Sequence, residues 1–244
     1  MRLLLRDRDA RDDQGVFVAE GPRVVAAAFD HGAPIQALYV DGASPLAARA
    51  DAAGVPVVAL PAGSADRIGE TRTPQPAFAV VTKSHVAIDA FAGATLVVVG
   101  TLLSDPGNVG TLMRSAVAAG AGALGLGPGS VDAYNPKVVR ASAGACFAIR
   151  TVEAVPVVQM LESLGSLGFQ RVGALGAGGV VPEAIDLRGP TALVLGNEAH
   201  GFAPDLPLDA CVTIPMAAGE SLNVAMAGTA LCFEVARQRR GSQA

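Results

Sequence analysis

Thr191-Ala-Leu-Val-Leu-Gly-Asn-Glu-Ala-His-Gly-Phe202 is the stretch whose reading decides the fold. Its first five residues form an apolar, β-prone run, too short for a helix, that reads as a buried strand. Gly196 stops the run. Asn197, Glu198 and His200 then stand in a turn at the strand's end, where open α/β sheets place their ligand sites. Further on, Ile214-Pro-Met-Ala-Ala-Gly-Glu-Ser-Leu-Asn-Val-Ala-Met-Ala227 repeats the plan. Cys211 to Ile214 reads as a strand, Pro215 cannot continue its ladder, and Ser221 to Asn223 opens a long helix to about Arg239. Upstream, Thr95-Leu-Val-Val-Val-Gly100 is a continuous apolar run of the kind covered on both faces in a parallel sheet. Between these strands lie expected helices over Val109–Ala119, Val138–Ala143 and Pro156–Leu167, with strands at Ala123–Leu126 and Gln170–Leu175. The alternation predicts an α/β fold with a mostly parallel sheet.

Ahead of this half, Gly15 to Gly21 reads as a strand and Pro22 to His31 as a helix. Ile35 to Val40 follows as a strand, and Ser44-Pro45 caps a helix running to about Ala53. Val55–Leu60 and Phe78–Thr82 are further strands, with a helical turn at Ser64–Gly69 between them. Alternation is lost from Lys83 to Gly93, so the chain divides near Ile88 into a small α/β domain, 1–88, and a larger one, 89–244.

Composition bounds the function. With 244 residues and 51% hydrophobic content the chain has ample material for a core. No apolar run reaches the roughly 18 residues of a membrane span, and the start, Met-Arg-Leu-Leu-Leu-Arg-Asp-Arg-Asp, is charged too early for a secretory leader. The expected compartment is the cytoplasm. Cys146, Cys211 and Cys232 are dispersed and read as buried free thiols, so no disulfide or metal site is expected. A net charge of −4 argues against a chain coated in basic surface. The cations are nevertheless clustered. Arg2, Arg6, Arg8, Arg11 and Arg23 fall close together at the start, and Arg suits phosphate; Asp7, Asp9, Asp12 and Asp13 equally allow a neutralised, solvated arm.

Arg114 is the one ionised residue between Asp105 and Asp132. It stands six residues beyond Asn108, a candidate cap for its helix, among Gly, Thr, Ser and Ala. A solvent-facing Arg on an amphipathic helix is one reading and a group offered to a substrate is the other. Gly120-Ala-Gly-Ala-Leu-Gly125 formally fits a dinucleotide-binding fingerprint, but it follows a helix and leads into a strand, the reverse of that motif's setting. It reads as helix-end and packing glycine.

Taken together, Asn108-Val-Gly-Thr-Leu-Met-Arg114, the Gly-x-Glu-x-x-Gly turn at Gly196, Glu198 and Gly201, and Ser221-Leu-Asn-Val224 resemble, in order and spacing, the three motifs of the SpoU family of RNA 2′-O-ribose methyltransferases. That family belongs to a knotted methyltransferase superfamily, and the resemblance covers about residues 95 to 240. Residues 15–21 and 71–80 are similar to the small L30e-like substrate-binding domain of several such enzymes.

The resemblance implies S-adenosylmethionine as cofactor, RNA as substrate, a trefoil-knotted catalytic domain and a homodimer built partly on the C-terminal helix. Ribosomal RNA is favoured over transfer RNA; a catalytically silent RNA-binding protein of the same fold is the competing possibility. Arg114, Asn108, Glu198, Ser221 and Asn223 are the implied catalytic residues. Leu195, Gly196, Asn197, Gly201, Ile214, Met216, Ser221, Leu222 and Asn223 are implied for the cofactor. Arg8, Arg11, Arg23, Lys137 and Arg140 are the candidate RNA contacts. No metal is required.

Overall fold

A computed structural model describes residues 1–69, 76–84, 86–197, 201–219 and 221–241. The charged start does not stay a solvated arm. It forms two short helices, α1 (Arg2–Arg6) and α2 (Arg8–Gln14), with Leu4 and Leu5 buried beside Val16, Val18 and Phe78. Asp7 caps α2 by accepting from the Asp9 and Ala10 N–H groups. Burying each leucine is worth about 1.5–3 kcal/mol, enough to order a segment whose surface charges alone would leave it free.

The chain continues through β1 (Val16–Glu20), α3 (Pro22–Asp30), β2 (Ile35–Asp41), α4 (Pro45–Ala52), β3 (Val57–Leu60), α5 (Ser64–Ile68) and β4 (Ala77–Thr82). Ser44 caps α4, accepting from the Leu46 N–H, and Pro45 occupies its first position as expected. The four strands lie in the order β1-β4-β2-β3, with β4 antiparallel to both neighbours and β3 parallel to β2.

A second sheet follows: β5 (Leu96–Gly100), α6 (Pro106–Ala118), β6 (Ala123–Leu126), α7 (Pro136–Ala141), β7 (Arg150–Glu153), α8 (Val157–Ser166), β8 (Gln170–Ala174), β9 (Thr191–Leu195), β10 (Ala210–Val212) and α9 (Val224–Arg240). Its order is β10-β8-β9-β5-β6-β7 and every pairing is parallel. Side chains alternate across it as the pleat requires. Leu96, Val98, Leu193 and Leu195 face α6 and α9, whereas Val97, Val99, Ala192 and Val194 face Phe91 and the α8 residues Met160, Leu161 and Leu164. The first face shares one core with the inner residues of the N-terminal sheet, among them Phe17, Leu38 and Val81.

Three local expectations change. Asn108 is not the cap of α6: Asp105 is, its carboxylate accepting from the Asn108 N–H at 2.7 Å, and Pro106 begins the helix. The carboxylate lies three residues ahead of that N–H, so it captures the orphan donor first. The last helix starts at Val224 and not at Ser221, because the Asn223 amide oxygen takes the N–H groups of Ala225 and Met226. Finally, β7 was not expected, its Arg-Thr-Val-Glu sequence lacking an apolar run; it is an edge strand, and an edge tolerates polar side chains. The Gly120–Gly125 segment packs as foreseen: a Cβ on Gly125 would lie 2.7 Å from Met160 Sδ.

The two sheets meet along a densely bonded seam. Arg11, a candidate RNA contact by sequence, is buried there at 3% exposure and is corrected to a structural residue. Its Nε and Nη2 donate to Asp132 Oδ2 at 2.8 and 2.6 Å and its Nη1 to the Leu4 carbonyl at 2.7 Å. A charge this deep persists only when paired, and at 3% exposure it has no surface to offer a phosphate. Arg140 donates to the buried carboxylate of Glu20 at 3.0 Å, and Lys83 is paired with Asp12. The Tyr134 hydroxyl donates to the Ser84 carbonyl at 2.9 Å while its ring lies 4.7 Å from that of Phe17. At Gly144, which has φ of 100°, a Cβ would approach Ala27 Cβ to 2.3 Å, so only glycine lets α3 and the segment after α7 meet.

Candidate active site and cofactor pocket

A cavity of about 200 Å³ opens where β8, β9 and β10 end. Leu195, Gly196, Asn197, Gly201, Ile214, Met216, Ser221 and Leu222 all line it, eight positions expected around a cofactor; Asn223 stands beside it and is not among its walls. Ala174, Leu175 and Gly176 complete the lining from the end of β8. Sequence reading marked that glycine-rich stretch only as a turn; its part in the site depends on β8 lying next to β9 in the sheet.

The pocket's shape comes from backbone. Just after β9, Asn197 and Gly201 form an antiparallel bridge, the N–H group of each donating to the other's carbonyl at 2.8 Å. A Cβ on Gly196 would lie 2.4 Å from the Gly201 carbonyl carbon, so position 196 admits nothing larger than glycine. Gly201 is different. Open space surrounds it, but its φ of 67° is one that L side chains rarely adopt. The Asn197 amide donates to the Leu102 carbonyl at 3.0 Å, tying this bridge to the loop after β5. Leu102 itself sits at φ 54° and is 52% exposed. Backbone strain of this kind collects at functional sites.

Among the described residues no ionised side chain is part of the walls. Backbone donors and acceptors, the hydroxyl of Ser221, the amide of Asn197 and apolar Leu195, Ile214, Met216 and Leu222 suit a flat, neutral heterocycle joined to a polar chain.

Beside this cavity α6 is fastened to α9. Asn223 Nδ2 donates to Asn108 Oδ1 at 2.9 Å, and the Thr229 and Ser115 hydroxyls bond at 2.8 Å. Gly228 lets the helices close up: a Cβ there would lie 2.5 Å from Leu112 and 2.7 Å from Leu195. Arg114 projects from α6 between the two fastenings, exposed, with no hydrogen bond or ion pair among the described residues. Six residues of helix put it about 9 Å along the axis from Asn108. The structure thus brings Asn108, Arg114, Ser221 and Asn223 to one end of the sheet; Glu198 lies outside the described residues.

Of the candidate RNA contacts, Arg8, Arg23 and Lys137 are exposed and Arg140 is half-buried against Glu20. Burial pushes the Cys146 thiol up to about 11 and the Cys232 thiol to about 12, so neither is a thiolate near neutral pH. Among the described residues no group of three His, Cys, Asp or Glu side chains is placed to hold a metal, and no helix is long and apolar enough to cross a membrane.

Comparison with known proteins gives this geometry relatives. A family model described as the SpoU rRNA Methylase family matches residues 95–233, and one described as an MRM3-like substrate binding domain matches residues 3–79. The chain is 32% identical to a 23S rRNA (uridine(2479)-2′-O)-methyltransferase of Streptomyces viridochromogenes, over 97% of this chain and 88% of that protein. It is 29% identical to the 23S rRNA (guanosine(2553)-2′-O)-methyltransferase RlmP of Bacillus subtilis, over 95% and 92%. Among solved structures, the SpoU methyltransferase AviRb from Streptomyces viridochromogenes in complex with AdoMet superposes with a TM-score of 0.86 at 32% identity, covering 98% of this chain and 96% of that one.

Proposed function

This chain belongs to the SpoU rRNA methylase family, and we propose that it transfers a methyl group from S-adenosylmethionine to a ribose 2′-OH of a 23S-type ribosomal RNA. One observation carries the reading: a cavity whose described walls are uncharged and the exposed guanidinium of Arg114, without a partner among the described residues, meet at the C-terminal edge of one parallel sheet. Ribosomal RNA is preferred to transfer RNA because two relatives matched over most of their length are named for 23S rRNA.

The fit to the cofactor rests on the lining. Backbone groups of the 196–201 and 214–222 loops would hold it, with Leu195, Ile214, Met216 and Leu222 around the adenine. When bound, S-adenosylmethionine supplies a methyl group activated by its sulfonium. The protein's task is then to place a hydroxyl in line and stabilise negative charge as it develops on oxygen. Arg114 performs it by hydrogen bonding to the hydroxyl or the adjacent phosphate. A guanidinium stays protonated in proteins, so Arg114 orients and does not accept the proton, which passes to phosphate or water. Asn108 and Asn223 hold α6 at its angle to α9, Ser221 offers a hydroxyl at the cavity mouth, and Glu198 is assigned to brace the turn on its motif position alone.

Arg8, Arg23, Lys137 and Arg140 contact RNA phosphates in this reading. Residues 1–88 act as the substrate-binding domain and 89–244 as the catalytic domain, whose C-terminal segment is tucked into a trefoil knot. The protein works in the cytoplasm as a homodimer. Met226 and Phe233, on one side of the last helix, and Leu222 just ahead of it support the dimer: they are 50, 44 and 43% exposed, apolar surface costly to leave in water.

The test is methyl incorporation from labelled S-adenosylmethionine into unmodified ribosomal and transfer RNA, with calorimetry for cofactor binding and light scattering for the dimer. Incorporation into ribosomal RNA at a ribose is expected. A protein that binds no S-adenosylmethionine would sink the reading.

A further inference from the structure

A second cavity, about 430 Å³, opens at the same edge of the large sheet, where β7 ends against the N-terminal helices. Arg8, Asp12, Lys83, Tyr134, Glu153 and Ala154 are among its walls. A smaller recess of about 50 Å³ adjoins it, sharing Arg8, Glu153 and Ala154 and running past Gly127 and Gly129. A Cβ on Gly129 would lie 2.5 Å from the Leu102 side chain, so the recess ends beside the exposed, left-handed Leu102 that borders the cofactor turn. Between β9 and β7 stand only β5 and β6; at about 4.8 Å per strand the two sites are about 14 Å apart, a span that one RNA strand covers in a few nucleotides.

We infer that this cleft holds a nucleotide of the RNA substrate flanking the ribose to be methylated, Arg8 taking its phosphate and Glu153 reading its base. The inference rests on the proposed activity, but its chemistry is local. The volume lies in the range of small-ligand pockets, about 300–1,000 Å³. Arg8 is 47% exposed, and its one ion pair among the described residues is a loose one, 3.5 Å to Asp12, so its guanidinium can turn to an incoming phosphate. Lys83 cannot, being buried against Asp12 with Nζ 4.8 Å from the centre of the Tyr134 ring. Its charge is matched by that of Asp12, which leaves Arg8 as the cation that can meet a phosphodiester.

Glu153 lines the same cleft. Its Oε1 accepts from the Ala133 N–H at 2.8 Å; among the described residues Oε2 accepts from no partner. A half-buried carboxyl held by one oxygen presents the other as an acceptor for a nucleobase N–H. Ala87, Val86 and Ala154 supply apolar surface for the base's face. Ala154 is held at φ 59°, which a non-glycine residue adopts at a cost of order 1–3 kcal/mol. Leu102 and Ala154 therefore place backbone strain at both ends of the same track.

Filter binding of an unmodified 23S-type ribosomal RNA transcript at several salt concentrations, together with a set of transcripts substituted at each base near the methylated position, tests this. Arg8→Ala should weaken binding of every transcript alike and lower the log–log salt slope by about one. Glu153→Gln should keep the slope but flatten a wild-type preference of about tenfold at one flanking base. Cofactor affinity should be unchanged in both, which also shows that they are folded. Wild-type protein that does not bind the transcript, or variants that match it in slope and base preference, would overturn the cleft. Failure of the activity looks different: transcripts bound in an Arg8-dependent way but never methylated leave the cleft standing, whereas Arg114-dependent methylation that both cleft variants perform with normal RNA binding leaves the activity and removes the cleft.

Discussion

The two cavities share one sheet edge and are built in opposite ways. The one at β8–β10 has no ionised wall among the described residues and takes its shape from backbone: the paired N–H and carbonyl groups of Asn197 and Gly201, and glycines where a single carbon would collide. The one at β7 is made of charged side chains from distant parts of the chain, Arg8, Asp12, Lys83 and Glu153 among them. Backbone groups lose little entropy when a ligand arrives and suit one cofactor of constant shape. Long charged side chains can rearrange and draw a polyanion from a distance, which suits a large substrate met in many orientations. The seam between them is built differently again, its deepest charges paired inside the fold and unavailable to either site.

The largest effect should come from that seam. Removing Arg11 as Ala leaves Asp132 buried without its cation, and denaturant unfolding should show a loss of about 3–5 kcal/mol. A loss under about 1 kcal/mol would mean that Arg11 is not the structural counterpart of the exposed Arg8.

Next comes Arg114→Ala, for which methyl transfer should fall about 10²–10³-fold, as on loss of one oxyanion donor, while calorimetry finds cofactor affinity unchanged. Arg114→Lys should restore only part of the rate, because an ammonium lacks the fork that spans hydroxyl and phosphate. Wild-type turnover in Arg114→Ala would end its assignment even with the family assignment intact.

In the backbone-built cavity, Gly196→Ala should weaken S-adenosylmethionine binding by roughly 1–3 kcal/mol through its collision with the Gly201 backbone. Gly201→Val should act through strain at φ 67° and not through crowding, so Gly201→Asn, which tolerates that backbone, should bind more tightly than Gly201→Val. Equal affinities for the two would count against a turn shaped by its backbone angles.

The smallest effect is a pH dependence confined to the charged cavity. Burial, with the nearby negative charge of Asp132, pushes the Glu153 carboxyl above its ordinary range against the pull of the Ala133 hydrogen bond. The folded state thus holds this proton more tightly than the unfolded one, and the contribution of Glu153 to stability falls as pH rises from the ordinary carboxylate value through the raised one. Thermal melts across that window should show wild type losing ground to Glu153→Gln with rising pH; parallel curves would mean that Glu153 is not desolvated.

Much of this was legible in one dimension because it is governed by local rules. The runs at Leu96–Gly100 and Thr191–Leu195 declare strands covered on both faces, and Ser44-Pro45 declares a helix start, since burial on two sides and a cap each impose a residue type at the position itself. The loops around the cofactor cavity were legible for the same reason, glycines and small polar groups being required by the backbone next to them. Asn108 shows where local rules compete: it could cap a helix, but Asp105 three residues earlier does so, and the Asn108 side chain accepts from Asn223. Other features had no local signature. Arg11 looks like one more exposed cation until Asp132, 121 residues away, comes within 2.6 Å of it. The polar Arg150–Glu153 segment becomes a strand only because a sheet edge is there to receive it, and Glu153 becomes a cleft wall only because the N-terminal helices dock against it. By itself the sequence determined most strand positions, the glycine-bearing loops and the isolated Arg114, all set by neighbours along the chain. Which cations are buried, which stay free and where a charged cleft opens were decided by the tertiary structure, because a charge's energy depends on partners and solvent that only folding brings to it or takes away.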